Sequence, residues 1–222
     1  MKISIHETES SLAPRRSQAA RREKSDRRML SAATRLIAKR GVSGTSLADV
    51  GIEAGYSRGL PVERFGSKFG LVKTLLESMD EWFQVHLAKA LKGKSGIEAL
   101  KLRIDAHLGS TSRSAAATAA LYSIYMESLL VMPELKPSVA AFTERWRQGL
   151  SHHLSEGQAQ GEVRKDIDCD AHAMLLLATM RGLVIHHLMD EAATNLAKLK
   201  VILLSMVDET LAARPPIRAK LG

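Results

Sequence analysis

The chain lacks the residues on which several kinds of chemistry depend. Its 222 residues include one cysteine, Cys169, so an internal disulfide bond is excluded. It contains no Walker loop, no Gly-x-Gly-x-x-Gly fingerprint and no cysteine pair. The histidine pairs 152–153 and 186–187 are adjacent, and adjacent helical residues point about 100° apart, so neither pair can grip a metal from one face. His152 and Glu156 have one-turn spacing, which is typical of a solvated surface contact. We therefore expect no enzymatic activity, no cofactor and no metal site.

Long apolar segments are also missing. The most apolar stretch, residues 173–180, is ended by Arg181, well short of the roughly 20 residues that span a bilayer. Residues 1–14 contain no apolar run of the kind found in secretory signals. We therefore expect a cytoplasmic protein that does not contact a membrane.

Positive charge is abundant and is concentrated near the amino terminus. The chain carries 32 Lys and Arg against 24 Asp and Glu, and between Arg15 and Arg40 ten basic residues stand against two acidic ones, an excess equal to the whole net charge of +8. Such a cluster indicates a nucleic-acid partner. Residues 1–25 show no apolar periodicity, which predicts a disordered basic arm. The arm could follow the DNA backbone or enter a minor groove, or it could be a solvated tail that only raises nonspecific affinity.

Residues 45–68 have the pattern of two short helices joined by a tight turn. Ser46 precedes the first apolar positions and Asp49 follows three residues later, which is the spacing of a capping box. Gly55 can adopt the positive φ that ends a helix, and Ser57 can cap a second helix at once. The pattern predicts a helix-turn-helix motif, whose second helix can enter a major groove.

The same motif carries a resemblance to a known family. An amphipathic helix ending at Gly41 is followed, in one unbroken register, by Thr45-Ser46-Leu47-Ala48-Asp49-Val50, Ala54-Gly55, Ser57-Arg58-Gly59 and Phe65-Gly66-Ser67-Lys68. Residues 28–77 thus resemble the amino-terminal module of the TetR family of transcriptional regulators. The resemblance implies a dimeric repressor or activator that binds a palindromic operator. It also implies a larger domain that binds a small molecule and changes the spacing of the two recognition helices.

The chain departs from this family where DNA contact is made. Family members usually carry Thr-Leu-Tyr after the Ser-Lys/Arg-Gly, with that Thr and Tyr touching phosphates, whereas this chain has Leu60-Pro61-Val62. Pro61 lacks a backbone donor and is tolerated in a first helical turn, so the second helix is expected to begin late. Either DNA binding has weakened, or the remaining basic residues maintain it, with Lys68 matching the family's phosphate-contacting lysine. The candidate DNA-binding residues are Thr45, Ser46, Tyr56, Ser57, Arg58, Gly59, Leu60, Val62, Glu63, Arg64 and Lys68.

Helical periodicity continues beyond the motif with few strand signals. The spacing predicts a long helix from residue 67 or 68 to before residue 93, and further helices over 96–108, 115–131, 138–160, about 170–190 and about 196–211. Asp168 or Asp170 is expected to cap the amino terminus of the helix over about 170–190. The fold class is therefore all-α, with an amino-terminal three-helix helix-turn-helix domain and a carboxy-terminal helical domain for ligand binding and dimerisation. The predicted divisions are the arm (1–25), the DNA-binding domain (26–70), the effector-binding and dimerisation domain (71–213) and a tail (214–222).

The last two helices are apolar nearly all round. Such helices lie in a core or at a subunit interface, and two apolar stripes on each helix indicate two partners. Pairing them with their symmetry mates would give a four-helix bundle with a two-fold axis, which suits a homodimer on a palindromic operator. The alternative is a monomer with a thick core. The expected interface residues are Leu175, Thr179, Gly182, His186, Leu203, Leu204, Val207 and Leu211.

A small-molecule effector would need polar or aromatic groups on inward-facing positions. Such groups are usually ordinary core, but Arg181 stands on an apolar stripe and needs a partner, which could be an acidic ligand, Glu127 or another carboxylate. Two other functions stay open: a regulator controlled by a protein partner or by no ligand, and an all-helical enzyme. The candidate pocket residues are His107, Tyr122, Tyr125, Met126, Trp146 and Arg181.

Overall fold

The computed structural model describes residues 18–213, which form nine α-helices and a short 3₁₀ helix at Pro133–Leu135. The expected all-α class is confirmed; an isolated bridge between Val163 and Ala212 is the only β pairing in the described range. The helices are α1 (Gln18–Arg40), α2 (Leu47–Glu53), α3 (Leu60–Phe65), α4 (Lys68–Leu91), α5 (Gly96–Arg113), α6 (Ala115–Leu130), α7 (Lys136–Ala159), α8 (Cys169–Met189) and α9 (Leu196–Leu211).

Helix α1 begins inside the segment that was predicted to be disordered. Residues 18–25 are helical, so the expectation is wrong for them, and Ser25 is buried with its hydroxyl donating to the carbonyl of Arg22. The sequence did not predict this part of α1, because residues 18–25 are so rich in basic side chains that no helical spacing of apolar residues is visible. The remainder of the predicted arm, residues 1–17, and the predicted tail lie outside the described residues.

One apolar core runs through both halves of the chain. It contains Met29 and Ile37 of α1, Leu75 of α4, Leu150 of α7 and Val207 of α9, all at most 2% exposed. Helix α4 crosses residue 70, the expected domain boundary, without a break. Helix α1 packs against α6, and α7 packs against both α5 and α8. The DNA-binding helices therefore share a core with the helices that follow them.

Several helix ends differ modestly from the sequence expectation. Helix α5 continues to Arg113, beyond the expected end at 108, and α7 begins at Lys136 with Pro137 in its first turn. Proline is accepted there because its missing N–H would have no intrahelical partner. Of the two expected caps for α8 the structure selects Asp168, whose side chain accepts from the backbone N–H groups of Asp170 and Ala171.

Helix α8 is apolar but only partly covered. An 18-residue window of α8 has a mean hydropathy of 1.2, so the helix is long and apolar enough to cross a membrane by length and composition alone. Arg181 lies within this helix and ends its most apolar stretch, as the sequence shows. Core helices of soluble proteins pass the same test, and α8 buries Ala173, Leu177 and Met180 against the protein interior.

The expected interface residues divide into two groups. Leu175 is 63% exposed, and Thr179 and His186 are exposed beside Gly182, whose α-carbon faces open space. By contrast, Leu203, Val207 and Leu211 are at most 5% exposed, and Leu204 packs against the core. Leu203, Val207 and Leu211 are therefore core residues rather than the expected interface residues, because α9 turns them towards α5 and α8. The apolar side chains that α9 leaves exposed are Val201, Ile202 and Met206.

Candidate DNA-binding surface and ligand cavity

The first helix of the motif starts as the sequence predicts. The Ser46 side chain accepts from the Asp49 N–H at 3.1 Å, and the Asp49 carboxylate accepts from the Ser46 N–H at 3.2 Å. The Ser46 hydroxyl donates to the Asp49 carboxylate at 2.7 Å, and this bond and the bond from the Ser46 N–H lower the pKa of Asp49, which also pairs with Arg40. Gly55 has a φ of 78°, an angle that residues with a Cβ rarely adopt, and this conformation ends α2 within one residue. The expected capping box and helix-turn-helix are confirmed.

The second helix starts later than a cap at Ser57 would allow. It begins at Leu60, its N-cap residue is Gly59, and no side chain caps it, so the expected capping role of Ser57 is wrong. Pro61 is buried in the first turn, where its absent N–H costs little. Residues 55–59 also spell Gly-x-Ser-x-Gly, the pattern of a hydrolase nucleophile elbow. The element before it is α2 rather than a strand, and Ser57 contacts no histidine in the described part of the chain.

The expected DNA-binding residues do not form one surface. Thr45 is 3% exposed and its hydroxyl donates to the Gly41 carbonyl, so its role is internal. Arg64 turns towards α1, with its Nε 3.8 Å from the Asp26 carboxylate and its side chain only 15% exposed, which is a poor position for reading a base. Tyr56 and Leu60 are half-buried. Of the expected residues, those that are exposed are Ser46, Ser57, Arg58, Gly59, Val62 and Glu63.

Helix α1 adds a strip of four basic residues, three of which lie in the segment that the sequence assigns to the arm. A groove beside α3 is lined by residues of α1 together with Tyr56, Leu60, Glu63 and Arg64. The basic side chains that α1 contributes are exposed, and a helix holds them at fixed positions next to α3. They are Arg21, Arg22, Lys24 and Arg28.

Glu127 and Lys68 both hold the loop between α1 and α2. The Glu127 carboxylate accepts from the backbone N–H groups of Val42 at 2.6 Å and Ser43 at 2.7 Å, and from the hydroxyls of Ser43 and Ser123. Partial burial raises the pKa of Glu127, but these hydrogen bonds outweigh it and hold the pKa below its usual value. Lys68 Nζ donates to the carbonyls of Val42 and Ser43, each at 3.1 Å. Lys68 thus has an internal role besides any phosphate contact.

A cavity of about 740 Å³ lies between α1, α4, α5 and α6. Helix α7 contributes Phe142 and Trp146 to its lining, and α8 contributes Val184. Its size suits a small molecule, and most of its surface is apolar. Of the expected pocket residues, His107, Tyr122 and Trp146 line it. Sequence patterns did not indicate that α1 forms a wall, because its contact with α6 joins residues far apart in the chain.

The other three expected pocket residues lie elsewhere. Met126 is 48% exposed on the surface of α6. Arg181 donates to the Tyr125 hydroxyl at 2.9 Å and to Thr143 Oγ1 at 3.1 Å, with its guanidinium 4.7 Å from the Tyr125 ring centroid. The expected carboxylate partner of Arg181 is therefore wrong for Glu127, which binds the α1–α2 loop.

One group of side chains could approach a metal. Ligand atoms of His152, His153 and Glu156 lie within 4.8 Å of one another on α7. The His153 ring is buried, which lowers its pKa despite the adjacent Glu156 carboxylate. Spacing had been considered for His152 with Glu156 alone; the structure adds His153 at 3.3 Å from the same carboxylate. Because His152 is exposed and all three residues lie on one helix, the geometry equally fits a histidine–glutamate surface contact.

A basic helix-turn-helix surface that shares its core with a cavity-bearing helical domain is the arrangement of a helix-turn-helix transcriptional regulator. Residues 29–75 match the family of bacterial regulatory proteins designated tetR, and residues 96–212 match the carboxy-terminal domain of BetI-type transcriptional repressors. The second match alone covers more than half of the chain. The protein belongs to the TetR family of transcriptional regulators.

Relatives and solved structures agree with this assignment. The chain is 26% identical over 162 residues to the HTH-type transcriptional regulator TtgR of Pseudomonas putida, a match covering 70% of this chain and 76% of TtgR. A putative TetR-family regulator from Rhodococcus sp. has a TM-score of 0.77 at 21% identity, covering 85% of this chain and 99% of its own. A putative regulator from Saccharomonospora viridis, solved in complex with choline, has a TM-score of 0.75 at 24% identity, covering 86% and 100%.

Proposed function

We propose that the protein is a homodimeric, cytoplasmic repressor that binds a palindromic operator and releases it when a small molecule enters the cavity. The observation that carries the proposal is the position of α1. This helix presents basic side chains beside α3 and, one face away, forms a wall of the cavity. A ligand in the cavity would therefore touch the same helix that borders the DNA-binding surface. The choline complex of the Saccharomonospora viridis protein supports small-molecule binding in this fold.

A second contact would transmit the change. Helices α5 and α6 line the cavity, and α6 also carries Glu127, which holds the α1–α2 loop. A shift of α6 would move that loop, and with it the start of α2. The ligand can act only to the extent that it binds the two arrangements of these helices with different affinity.

The homodimer would form through α8 and α9. Leu175, Met189, Val201 and Met206 are each more than half exposed, and together they make an apolar surface on adjoining helices. Exposed apolar patches of this kind mark interaction sites. The open space beside Gly182 would let a partner helix approach closely. A two-fold axis through this surface would present two α3 helices to two half-sites.

The test is to recover genomic fragments bound by the purified protein and to read their consensus, with Met206→Glu and Leu130→Glu as a matched pair. We expect an inverted repeat for the wild type. Met206→Glu should raise the dimer dissociation constant by about 100-fold or more, since it buries a charge at the interface, and should weaken operator binding in parallel. Leu130 is 87% exposed on α6, so Leu130→Glu should leave both unchanged.

Three outcomes of this experiment would contradict the proposal. Enrichment of a single half-site, or of no sequence, would contradict palindromic operator binding. Sedimentation of the wild type as a monomer at micromolar concentration would contradict the homodimer. Dissociation by Leu130→Glu but not by Met206→Glu would place the interface on α6 rather than on α8 and α9.

A further inference from the structure

The inner wall of the cavity contains polar atoms without partners. His107, Tyr122 and Trp146 line the cavity and are 8%, 6% and 5% exposed. Both ring nitrogens of His107, the hydroxyl of Tyr122 and the indole nitrogen of Trp146 make no hydrogen bond within residues 18–213. The His107 and Trp146 rings meet edge to face with their centroids 4.9 Å apart. Buried polar groups are nearly always hydrogen-bonded, so three adjoining exceptions on a cavity wall indicate a missing partner.

The chemistry of these atoms defines what that partner offers. An indole N–H can only donate, a phenol hydroxyl can donate, and a neutral imidazole has one donor nitrogen. Burial, together with the nearby Arg181 and Arg103, lowers the pKa of His107 to about 3, so its ring is neutral near pH 7. Each of the three side chains on the cavity wall can donate one hydrogen bond, and a hydrogen-bond acceptor is the group that would satisfy all three.

The electrostatic surroundings of these donors are positive. Arg103 is 4% exposed, its Nε and Nη2 lack hydrogen-bond partners, and its guanidinium carbon lies 5.7 Å from the centroid of the Trp146 ring and 5.9 Å from that of Phe83. Gly149 leaves room for it, since a Cβ there would lie 2.3 Å from Arg103 Nη2. Burial lowers the pKa of Arg103 to about 10, which still leaves it charged at neutral pH.

Local carboxylates do not balance this charge. Asp80 raises the pKa of Arg103, but its own carboxylate is bound by Arg145 at 2.6 Å. Arg181 is held by the neutral hydroxyls of Tyr125 and Thr143. Arg103 and Arg145 therefore share the Asp80 carboxylate, and Arg181 has no carboxylate within ion-pair distance among residues 18–213. A buried cation without a full counter-charge is costly, and an anion in the cavity would supply one.

The cavity mouth has the same sign of charge. Its basic residues are Arg27, Arg35 and Arg113, and no Asp or Glu side chain belongs to the wall as the described residues define it. Arg27 and Arg35 pair with Glu23 and Glu53, whereas Arg113 has no carboxylate within ion-pair distance among residues 18–213. A cationic ligand would therefore find no carboxylate on the wall to balance its charge.

From these observations we propose that the effector is an apolar, ring-sized acid. Its anionic oxygens accept hydrogen bonds from His107, Tyr122 and Trp146 and compensate Arg103, and its apolar body packs on the aromatic side chains of α4 and α7. This inference rests on the proposed function, because it assigns the chemical class of ligand that the same cavity takes.

The test compares three probes of similar shape and different charge: 2-naphthoate, 2-naphthamide and (2-naphthylmethyl)trimethylammonium. Binding to the protein of 222 residues is measured by titration calorimetry and by the shift in thermal unfolding temperature. We expect 2-naphthoate to bind at least tenfold more tightly than the amide, and the ammonium probe not to bind. Equal or tighter binding of the amide or the cation, or no binding of 2-naphthoate, would overturn the assignment.

Arg103→Met tests the origin of the preference. Replacing a buried, uncompensated guanidinium by an apolar side chain of similar length leaves the protein folded. It should weaken 2-naphthoate binding by roughly tenfold, because one of the charges behind the donors is lost, while changing amide binding little. Lys89→Met removes an equal charge from the exposed face of α4 and should change neither. An equal loss for acid and amide in Arg103→Met would show that Arg103 only shapes the cavity, and would contradict its role as counter-charge.

The same titrations separate this inference from the proposed function. If 2-naphthoate binds as expected but does not release operator DNA at saturation, the ligand class stands and effector-controlled repression fails. If the amide or the cation binds and releases DNA, the function stands and the ligand class fails.

Discussion

Helix α6 carries two polar side chains little more than one turn apart, and the protein treats them in opposite ways. Glu127 accepts hydrogen bonds from two backbone N–H groups and two hydroxyls. The hydroxyl of Tyr122 is buried at the cavity wall and has no partner within the described residues. The contrast separates a polar group that stabilises the fold from one that is available to a ligand. Burial alone does not distinguish them; the count of satisfied donors and acceptors does.

The largest effect should come from removing the satisfied group. Glu127→Ala leaves the N–H groups of Val42 and Ser43 without their acceptor, and hydrogen bonds to a charged group contribute about 1.5–3 kcal/mol each. Because the loop is partly solvated, we expect the free energy of unfolding to fall by about 2–4 kcal/mol in urea titrations. Amide hydrogen exchange should accelerate at Val42 and Ser43. DNA affinity should fall as well, because the loop sets the start of α2.

Glu134→Ala is the matched control for this change. Glu134 is exposed at the 3₁₀ turn after α6, so its removal should alter stability by no more than about 0.5 kcal/mol. The pKa of Glu127 is lowered in the folded protein, so its contribution is present above its ordinary pKa of 4.5 and is lost as the pH falls through the folded value. The difference between wild type and Glu127→Ala should therefore shrink in acid. Equal stability of the two alanine variants at pH 7 would contradict the anchoring role.

A smaller loss of stability should follow from a change at Tyr125, whose hydroxyl has a hydrogen-bond partner. Tyr125→Phe removes the oxygen that accepts from Arg181 Nη2, leaving part of a half-buried guanidinium without a partner. We expect a loss of about 1–3 kcal/mol in the free energy of unfolding. Thermal and urea denaturation provide the measurement, and an unchanged stability would show that water replaces the hydroxyl there.

Local features of the sequence predicted the motif well. Interactions between residues a few positions apart can be predicted from the sequence alone. They determine the capping box at Ser46 and Asp49, the turn at Gly55 and the starts of α4 and α8. Ser57 was misjudged because Leu60 and Pro61 delay the second helix, and proline limits where a helix begins in ways that a hydroxyl cannot override.

Long-range features could not be predicted in the same way. Arg64 lies against Asp26 because α1 starts at Gln18, and nothing near either residue in sequence indicates that contact. Periodicity showed that α9 is apolar on more than one side, but not which of its apolar residues face the core: Val201 and Val207 belong to one predicted stripe, yet Val207 is 1% exposed and Val201 is 64% exposed. His107, Tyr122 and Trp146 were found as aromatic or polar groups on inward faces, whereas Arg103 was missed because it follows an ordinary helical pattern.

The smallest effect on stability is expected at Tyr122, and it tests the contrast between satisfied and unsatisfied polar groups most directly. Tyr122→Phe removes a hydroxyl that has no partner in the described structure, and replacing an unsatisfied polar group by an apolar one of the same shape is neutral or stabilising. We expect the ligand-free protein to change its free energy of unfolding by less than about 0.5 kcal/mol, or to gain stability, in contrast to the loss for Tyr125→Phe. Both variants keep the aromatic ring, so they differ only in whether the lost hydroxyl was satisfied. If Tyr122→Phe destabilises the ligand-free protein as much as Tyr125→Phe does, the Tyr122 hydroxyl already has a partner such as ordered water. The polar groups on the inner wall of the cavity would then be hydrogen-bonded without a ligand, which would remove the argument that they bind an acid.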